Sequence, residues 1–278
     1  MMSPNTTLQF SKMHGLGNDF MVIEVKVLDQ LPILQHASIW RAWADRHTGI
    51  GFDQALLILP ATEPSACARY QIFNADGSEV EQCGNGARCV AEWLRLNGRC
   101  ELDAVIRLQS RGGEVIARFT SPGCVAVNMG EPKFPAHPRQ SINTDLTRVE
   151  FIQVSMGNPH IVIDVPNIDT ANVKELGPLL ESHPHFPQRT NVGFSQRLDR
   201  QRLRLRVYER GAGETQACGT GACAAMAAGH LAGQLDDQVQ VQLPGGNLQI
   251  EWQGLGSPLW MTGEAIRVFI GEIEIPCA

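Results

Sequence analysis

The chain has 278 residues, of which 43% are hydrophobic and 19% charged, with a formal net charge of −6 at pH 7. This composition supplies a buried core for one large or two ordinary domains and excludes a disordered chain. The acidic balance argues against a duplex-DNA-binding protein, and no apolar run is long enough to span a membrane. With no secretory signal at Met1–Thr7, we expect a cytoplasmic protein that binds neither nucleic acid nor membrane.

In the first half, apolar periodicity predicts alternating strands and helices. Strands are expected at Phe20–Val27 and Gln54–Leu59, with a helix at about Leu34–His47 between them. A second helix is predicted from Gly84 to Asn97, and glycines at 112–113 then predict a hairpin.

The second half gives the same succession of predicted elements. They are strands at Ile161–Val165 and Leu203–Tyr208, a helix at about Thr170–Ser182, a small-residue helix around 222–229, a hairpin at Pro244–Gly246 and a last strand at Ile266–Ile275. A helix so small and apolar is expected to be buried on all sides. The arginines of the run 202–206 alternate with leucine, which predicts the solvated face of a strand rather than a nucleic-acid site.

Four landmarks recur in the same order in both halves. Asn18 recurs as Asn158, Gln54 as Asn191, Asn74 as Glu209 and Cys83 as Cys218, at offsets of 140, 137, 135 and 135 residues. Each cysteine opens a Cys-Gly-x-Gly-Ala element that leads directly into a helix. The ordered set predicts two pseudo-symmetric α/β (α+β) halves, each a curled mixed sheet around a central helix, with the Pro-rich stretch Pro132–Pro138 connecting them.

Each repeated cysteine is expected to sit at a helix N-terminus. The backbone N–H groups and the helix dipole there favour an anion, and the same field favours thiolate over thiol. Two such halves facing one cleft would place a sulfur on either side of a substrate carbon. Cys83 and Cys218 are therefore predicted to act as acid and base in an inversion that needs no cofactor.

The remaining repeated positions carry side chains suited to holding a zwitterionic small molecule. Amides can both donate and accept, and the pair Glu209-Arg210 adds an anion beside a bidentate cation. The predicted substrate handles are Asn18, Gln54, Asn74, Asn158, Asn191, Glu209 and Arg210. Together they could hold an ammonium group and a second carboxylate.

Several motifs of the chain resemble those of the diaminopimelate epimerase family. The matching segments are Gly15–Phe20, Arg46–Gln54, Phe73–Ser78, Glu81–Cys89, Met156–His160, Arg189–Val192 and Glu209–Gly221. They span most of the chain.

The resemblance implies interconversion of L,L- and meso-diaminopimelate, on the route to lysine and to bacterial cell-wall peptide. It implies Cys83 as the base toward the L,L substrate and Cys218 as its partner. The reacting carboxylate would lie against Gly84, Asn85, Gly219 and Thr220, while His160 and Glu209 would tune the thiols. The implied domains are 1–124, with 266–278 returning to it, and 125–265, and relatives of this kind are often homodimers.

Three other function classes fit the residues less well. A proline or hydroxyproline racemase of the same fold would not need the Glu209-Arg210 pair. A thiol–disulfide protein is disfavoured by the absence of a CxxC motif, and a zinc module by the absence of a tight Cys/His quartet, so no metal is expected. Structural roles are expected for the remaining cysteines, which are Cys67, Cys89, Cys100, Cys124, Cys223 and Cys277.

Overall fold

The computed structural model describes residues 7–26, 31–81 and 83–275. These residues fold into two compact units, one comprising residues up to 127 and from 263 onward, the other residues 128–262. Two predictions fall outside the described residues: the end of the first strand at Val27, and Cys277.

The described elements are eighteen strands and five helices. The strands are β1 Thr7–Gly15, β2 Asn18–Glu24, β3 Gln54–Leu59, β4 Ala68–Asn74, β5 Glu79–Val80, β6 Val105–Ser110, β7 Gly113–Ser121, β8 Cys124–Asn128, β9 Arg139–Asn143, β10 Arg148–Ser155, β11 Pro159–Asp164, β12 Asn191–Arg197, β13 Arg202–Glu209, β14 Gly213–Thr215, β15 Gln238–Leu243, β16 Gly246–Glu251, β17 Trp260–Glu264 and β18 Ile266–Glu274. The helices are α1 Leu31–Leu34, α2 Ala37–Ala44, α3 Gly84–Leu96, α4 Val173–Glu181 and α5 Gly219–Leu231.

The first unit is one mixed sheet in the order β18-β1-β2-β3-β4-β6-β7-β8, with β5 also paired to β4. The pairs β2–β3 and β4–β6 are parallel, and the others are antiparallel. Parallel neighbours need a crossover connection, and α2 and α3 lie in these two crossovers.

The second unit repeats this topology. Its order is β9-β10-β11-β12-β13-β15-β16-β17, with β14 paired to β13, and its parallel pairs are β11–β12 and β13–β15. Helices α4 and α5 occupy the corresponding crossovers. The register repeats as well, because Phe20 faces Gln54 in the first unit and His160 faces Asn191 in the second. The predicted fold class, a mixed sheet around a helix in each half, is confirmed.

Each sheet packs around the helix that follows its cysteine. Helix α3 is buried from Gly84 to Leu94 and packs against β1, β2, β3, β7 and β18. Helix α5 is buried from Gly221 to Ala228, and its strand neighbours are β10, β11, β12, β13, β15 and β16. The alanines and glycines of α5 let the strands approach closely, as the small-residue pattern predicted.

The other face of each sheet is covered by a second core. In the first unit Trp40 and Trp43 of α2 pack with Met21, Ile23 and Leu57. In the second, Val173 and Leu180 of α4 belong to a cluster with Ile161, Val192 and Phe194. Because side chains alternate along these strands, one set packs on the central helix and the other on the outer helix. Each strand that carries a predicted site residue is therefore packed on both faces.

Most predicted elements lie where the pattern placed them, and the outer helices are shorter than expected. The predicted helix 34–47 is realised as α2 alone, because the Asp45 carboxylate accepts from the backbone N–H groups of His47 and Thr48 and turns the chain. Strand β13 buries Leu203 and Leu205 on one face, as the alternation predicted. On the other face Arg202 is exposed, while Arg204 and Arg206 are half-buried in ion pairs.

Among the described residues, no helix is both long and apolar enough to cross a membrane. Within the same ranges, no three His, Cys, Asp or Glu side chains are grouped as metal ligands.

Candidate active site

Both predicted catalytic cysteines are the N-caps of the central helices. Cys83 caps α3 with φ −145° and ψ 113°, and Cys218 caps α5 with φ −112° and ψ 104°. Each sulfur accepts the backbone N–H three residues on, from Gly86 and from Gly221, at 3.4 Å in both cases. The extended cap conformation therefore aims each Sγ at the positive end of its helix, where a thiolate is stabilised.

The first two residues of each central helix have backbone N–H groups that cannot donate to a carbonyl of the same helix. These are Gly84 and Asn85 in α3, and Gly219 and Thr220 in α5. Such N–H groups are suited to a carboxylate oxygen, and the helix dipole adds to the attraction. The four positions predicted to hold a reacting carboxylate thus lie at the two helix N-termini, beside the thiols.

In the first unit, Cys83 is half-buried and faces the amide of Asn18. The Sγ lies 3.9 Å from Asn18 Oδ1, which also accepts from Asn85 Nδ2 at 3.3 Å. Gly17, at φ 82°, makes the turn between β1 and β2 that starts β2 at Asn18. A residue with a side chain would be strained at that φ, so the glycine fixes the position of the amide.

In the second unit, Cys218 is 4% exposed and has a hydroxyl neighbour. Its Sγ lies 3.7 Å from Thr220 Oγ1, which accepts from Asn158 Nδ2 at 3.4 Å. Asn158 Oδ1 in turn lies 3.0 Å from Nε2 of His160. Four predicted residues thus form one hydrogen-bonded series that ends on the sulfur.

Burial and a carboxylate raise the pKa of Cys218. The loss of solvent acts most strongly, and the nearby Glu209 carboxylate adds to it, so the pKa lies well above that of a free thiol. Burial likewise raises the pKa of Glu209, although hydrogen bonds from Thr215 and Cys218 act in the opposite direction. Thr215 Oγ1 donates to Glu209 Oε1 at 2.5 Å. At neutral pH Cys218 therefore carries its proton in the absence of substrate.

His160 is buried and neutral. Burial, helped by the positive charge of Arg210, lowers its pKa to about 3. Because the neutral ring carries one N–H, the hydrogen bond to the Asn158 oxygen requires the proton to be on Nε2. Any influence of His160 on Cys218 would therefore pass through Asn158 and Thr220 rather than through a positive charge.

Replacing His160 with glutamine is expected to flatten the acid limb of the stability curve. A folded-state pKa of about 3 means that the unfolded chain binds the proton first as pH falls from about 6.5. Wild-type stability should therefore fall relative to His160→Gln by about 1.4 kcal/mol for each pH unit in that window. Urea unfolding of both proteins from pH 7 to pH 4 measures this. Parallel curves would show that His160 takes up its proton in the folded state.

The remaining handles are held in place by their own hydrogen bonds. In the first unit Gln54 Nε2 donates to Asn74 Oδ1 at 2.9 Å, and Asn74 Nδ2 donates to Ser78 Oγ at 3.1 Å. In the second unit, Asn191 Oδ1 accepts from the backbone N–H of Arg210 at 3.0 Å, and its Nδ2 donates to Pro159 O at 2.9 Å. Arg210 Nη1 reaches Gln188 O at 3.1 Å.

Four polar residues that belong to this environment were not predicted. Asp53 Oδ2 accepts from Asn18 Nδ2 at 3.0 Å, and Arg88, fully buried in α3, donates to Asn85 Oδ1 at 2.9 Å. Asp19 and Arg46 connect to Asp53 at 2.8–2.9 Å. Their presence within the family-like motifs was the only available signal, because periodicity does not indicate polar contacts such as that between Asn18 and Asp53, 35 residues apart.

Comparison with known proteins agrees with the geometry. A family model described as diaminopimelate epimerase matches residues 10–135 and 152–268. A diaminopimelate epimerase of Ectopseudomonas mendocina (strain ymp) is 52% identical, with 96% of this chain and 99% of the relative covered. One from Azotobacter vinelandii is 50% identical over the same shares of the two chains.

Solved structures with low sequence identity share the fold. A hydroxyproline epimerase from Agrobacterium vitis superposes with a TM-score of 0.73 at 20% identity, covering 97% of this chain and 93% of that one. A PhzF-family phenazine biosynthesis protein from Bacillus anthracis gives 0.71 at 15% identity, covering 96% and 99%. These likenesses concern the fold, whereas the family model and the relatives at about 50% identity cover nearly the whole sequence. The chain belongs to the diaminopimelate epimerase family.

Proposed function

We propose that this chain is an isomerase that interconverts L,L- and meso-diaminopimelate without a cofactor, with Cys83 and Cys218 as its acid and base. The observation that carries the proposal is the repeated N-cap geometry, in which each Sγ accepts a helix N–H at 3.4 Å. Two thiols that each cap the N-terminus of a helix can exchange the roles of acid and base, as a reversible inversion requires.

The two thiols lie in different surroundings. Cys218 is buried beside Glu209 and holds its proton, whereas Cys83 is half-buried at a helix N-terminus. In the direction that starts from the L,L isomer, the Cys83 thiolate removes the α-proton and the Cys218 thiol delivers its proton to the opposite face. The reverse reaction exchanges the two roles, and no net proton is gained or lost.

The carbanion formed in this step needs stabilisation. Hydrogen bonds from the N–H groups of Gly84, Asn85, Gly219 and Thr220 to the reacting carboxylate would stabilise its enolate-like charge. Donors fixed by a helix need no reorganisation during the reaction, which is why no electron sink such as pyridoxal phosphate is required in this proposal. Dipolar stabilisation of this kind depends on excluding water, and the burial of Cys218 and Asn85 supports such a setting.

The second amino-acid end of the substrate provides the specificity in this proposal. Gln54, Asn74, Asn191, Glu209 and Arg210 offer amide, carboxylate and guanidinium groups that match an ammonium and a carboxylate. Proline and hydroxyproline have no such second end. The product would enter routes to lysine and cell-wall peptide, and we place the reaction in the cytoplasm, where reducing conditions keep both thiols active.

The substrate assignment is tested with the isolated, chelator-treated protein. Incubated with L,L-diaminopimelate and no added cofactor, it should form the meso isomer, while L-proline and trans-4-hydroxy-L-proline should keep their configuration. Racemisation of either proline at a comparable kcat/KM, without turnover of diaminopimelate, would favour the rival assignment.

We further propose that the protein is a homodimer associated through β18. Strand β18 leaves Val268, Phe269 and Ile270 at 58%, 48% and 52% exposure. Successive strand residues point to opposite faces, so three consecutive exposed apolar side chains leave both faces of this strand uncovered. A patch of this kind on a soluble enzyme marks an interaction surface, and a second copy of the strand supplies matching apolar side chains.

Replacing Phe269 with aspartate is expected to convert the dimer to a monomer. Its ring packs on Phe10 with centroids 5.9 Å apart and is 48% exposed in the single chain. In the proposed dimer this position would be covered, and burying an unpaired carboxylate there would be strongly unfavourable. Sedimentation velocity should show about half the mass for the variant at micromolar concentration. Leu255→Asp, at a more exposed leucine in the other unit, is the matched control. A wild-type monomer, or a variant that remains dimeric, would contradict the proposal.

A further inference from the structure

Three hydrogen bonds in the first unit run in one direction past Cys83. Arg88 Nη2 donates to Asn85 Oδ1 at 2.9 Å, and Asn85 Nδ2 donates to Asn18 Oδ1 at 3.3 Å. Asn18 Nδ2 then donates to Asp53 Oδ2 at 3.0 Å. The first residue is completely buried in α3, and the last belongs to the loop before β3.

The direction of these hydrogen bonds is fixed by the two charged groups at the ends of the series, the Arg88 guanidinium and the Asp53 carboxylate. A guanidinium has only donors and a carboxylate only acceptors, so neither end can take the opposite role. Asn85 must therefore turn its oxygen to Arg88, and Asn18 must turn its amino group to Asp53. The carboxylate of Asp53 also accepts from Arg46 Nη2 at 2.8 Å and from the backbone N–H of Asp19 at 3.1 Å, which holds it in place.

As a result, the sulfur of Cys83 faces the amide oxygen of Asn18. Asn18 Oδ1 lies 3.9 Å from Cys83 Sγ. A thiol can donate its proton to that oxygen. A thiolate, in contrast, would be repelled by the lone pairs of the oxygen. The contact therefore favours the protonated form and opposes the Gly86 N–H, which lies 3.4 Å away and favours the thiolate.

The second unit provides an internal comparison, because both charged ends are absent there. Thr190 stands at the position that corresponds to Asp53, and Cys223 at the position that corresponds to Arg88. The corresponding amide, Asn158, is reversed: its oxygen faces His160, and its Nδ2 faces Thr220 on the cysteine side. The orientation of Asn18 is thus a property of its charged neighbours and not of the repeated fold.

We propose that Asp53 is a positioning residue for Cys83, which acts by holding the Asn18 amide with its oxygen toward the thiol. The inference rests on the proposed catalytic role of Cys83. In this arrangement the direction of the Asn18 amide, set by Asp53, determines how readily the thiol gives up its proton.

Other titratable groups around Cys83 are identifiable and can be separated from this effect. Burial raises the pKa of Tyr70 on β4 and of Cys89 on α3, so both stay neutral at neutral pH. Arg88 lies one turn along α3. Beyond Asn18 lies the cluster of Lys12, Asp19 and Arg46. Burial tends to raise the pKa of Asp19, but hydrogen bonds from Arg46 and Lys12 hold that pKa well below its usual range.

The test is a double-mutant cycle read from the reactivity of Cys83. In a Cys218→Ser background, the rate of alkylation by iodoacetamide is followed from pH 6 to pH 10, with mass spectrometry of the peptide that contains Cys83. We expect Asn18→Ala and Asp53→Ala each to increase the rate at pH 7 by about five- to tenfold, because loss of the S–H acceptor favours the thiolate. The double variant should react no faster than Asn18→Ala alone.

Asp19→Asn is the matched control, because it removes one negative charge from the same cluster and leaves the Asn18–Asp53 hydrogen bond intact. Its rate should stay within about twofold of the parent. An equal effect of Asp53→Ala with and without Asn18, or an equal effect of Asp19→Asn, would show that charge alone acts and would overturn the proposal. Thermal melting confirms that each variant is folded, and Asp53→Leu, which has a similar size and no acceptor, enters the same cycle if Asp53→Ala unfolds. The readout needs no turnover, so it fails independently of the substrate assignment.

Discussion

Alanine at Cys83 or at Cys218 is expected to reduce kcat/KM for diaminopimelate epimerisation by about 10³-fold or more in both directions. A positioned acid or base contributes about 10² to 10⁴ in rate, and each inversion uses both groups. Removing either thiol should therefore be as damaging as removing both, because the two act as a unit. The assay is conversion of each isomer by single and double variants.

Two other cysteines serve as controls for this experiment. Cys89 and Cys223 lie further along the same helices and are fully buried. Cys89→Ala and Cys223→Ala should keep turnover within a few-fold of wild type, with at most a modest loss of stability from the small cavity. Full activity in Cys83→Ala or in Cys218→Ala would refute the two-thiol mechanism.

The second large effect is expected from Gly221→Ala, which should lower kcat/KM by about 10²-fold with the fold retained. A Cβ at this position would lie 2.9 Å from Val207 Cγ2 and 3.1 Å from Cys218 Sγ. Valine is stiff at χ1 and cannot yield easily, so the sulfur must move. A displacement of about 1 Å at a reacting atom is sufficient for a loss of that size.

Two matched glycine substitutions separate displacement of the thiol from general crowding. Gly86→Ala should have a milder effect, because its Cβ meets Leu56 Cδ2 at 3.1 Å and lies 3.5 Å from Cys83 Cβ. Gly229→Ala crowds Leu235 at 2.4 Å near the end of the same helix, so it should lower the melting temperature and leave kcat nearly unchanged. If Gly221→Ala keeps wild-type kcat while Gly229→Ala loses it, the steric explanation is wrong.

The repeat made much of the fold predictable from sequence. Four landmarks at nearly constant offset implied two similar units, and the small residues of α5 implied a helix enclosed by strands. Local chemistry that competes with periodicity was harder to foresee. The predicted helix at 34–47 is cut short after Ala44 by Asp45, and α4 begins only at Val173, later than the expected Thr170.

The local structure of the candidate site was predictable where it depends on neighbouring residues in sequence. A cysteine followed by Gly-x-Gly and an apolar run indicates an N-cap, and both cysteines are N-caps. The contacts of Asp53 with Asn18 and the internal position of Arg88 depend on pairing between distant strands and on packing around α3. Periodicity contains no information about such long-range polar contacts.

The most direct test of the central claim is the early course of the reaction in heavy water. L,L-diaminopimelate is incubated with the protein, and the α-deuterium content of both isomers is measured by mass spectrometry at a few per cent conversion. We expect deuterium in nearly every meso molecule formed and almost none in the remaining L,L substrate, because one thiol removes the proton and the other delivers a solvent-derived one. Early deuterium in the L,L pool, or protium retained in the product, would contradict a two-thiol inversion.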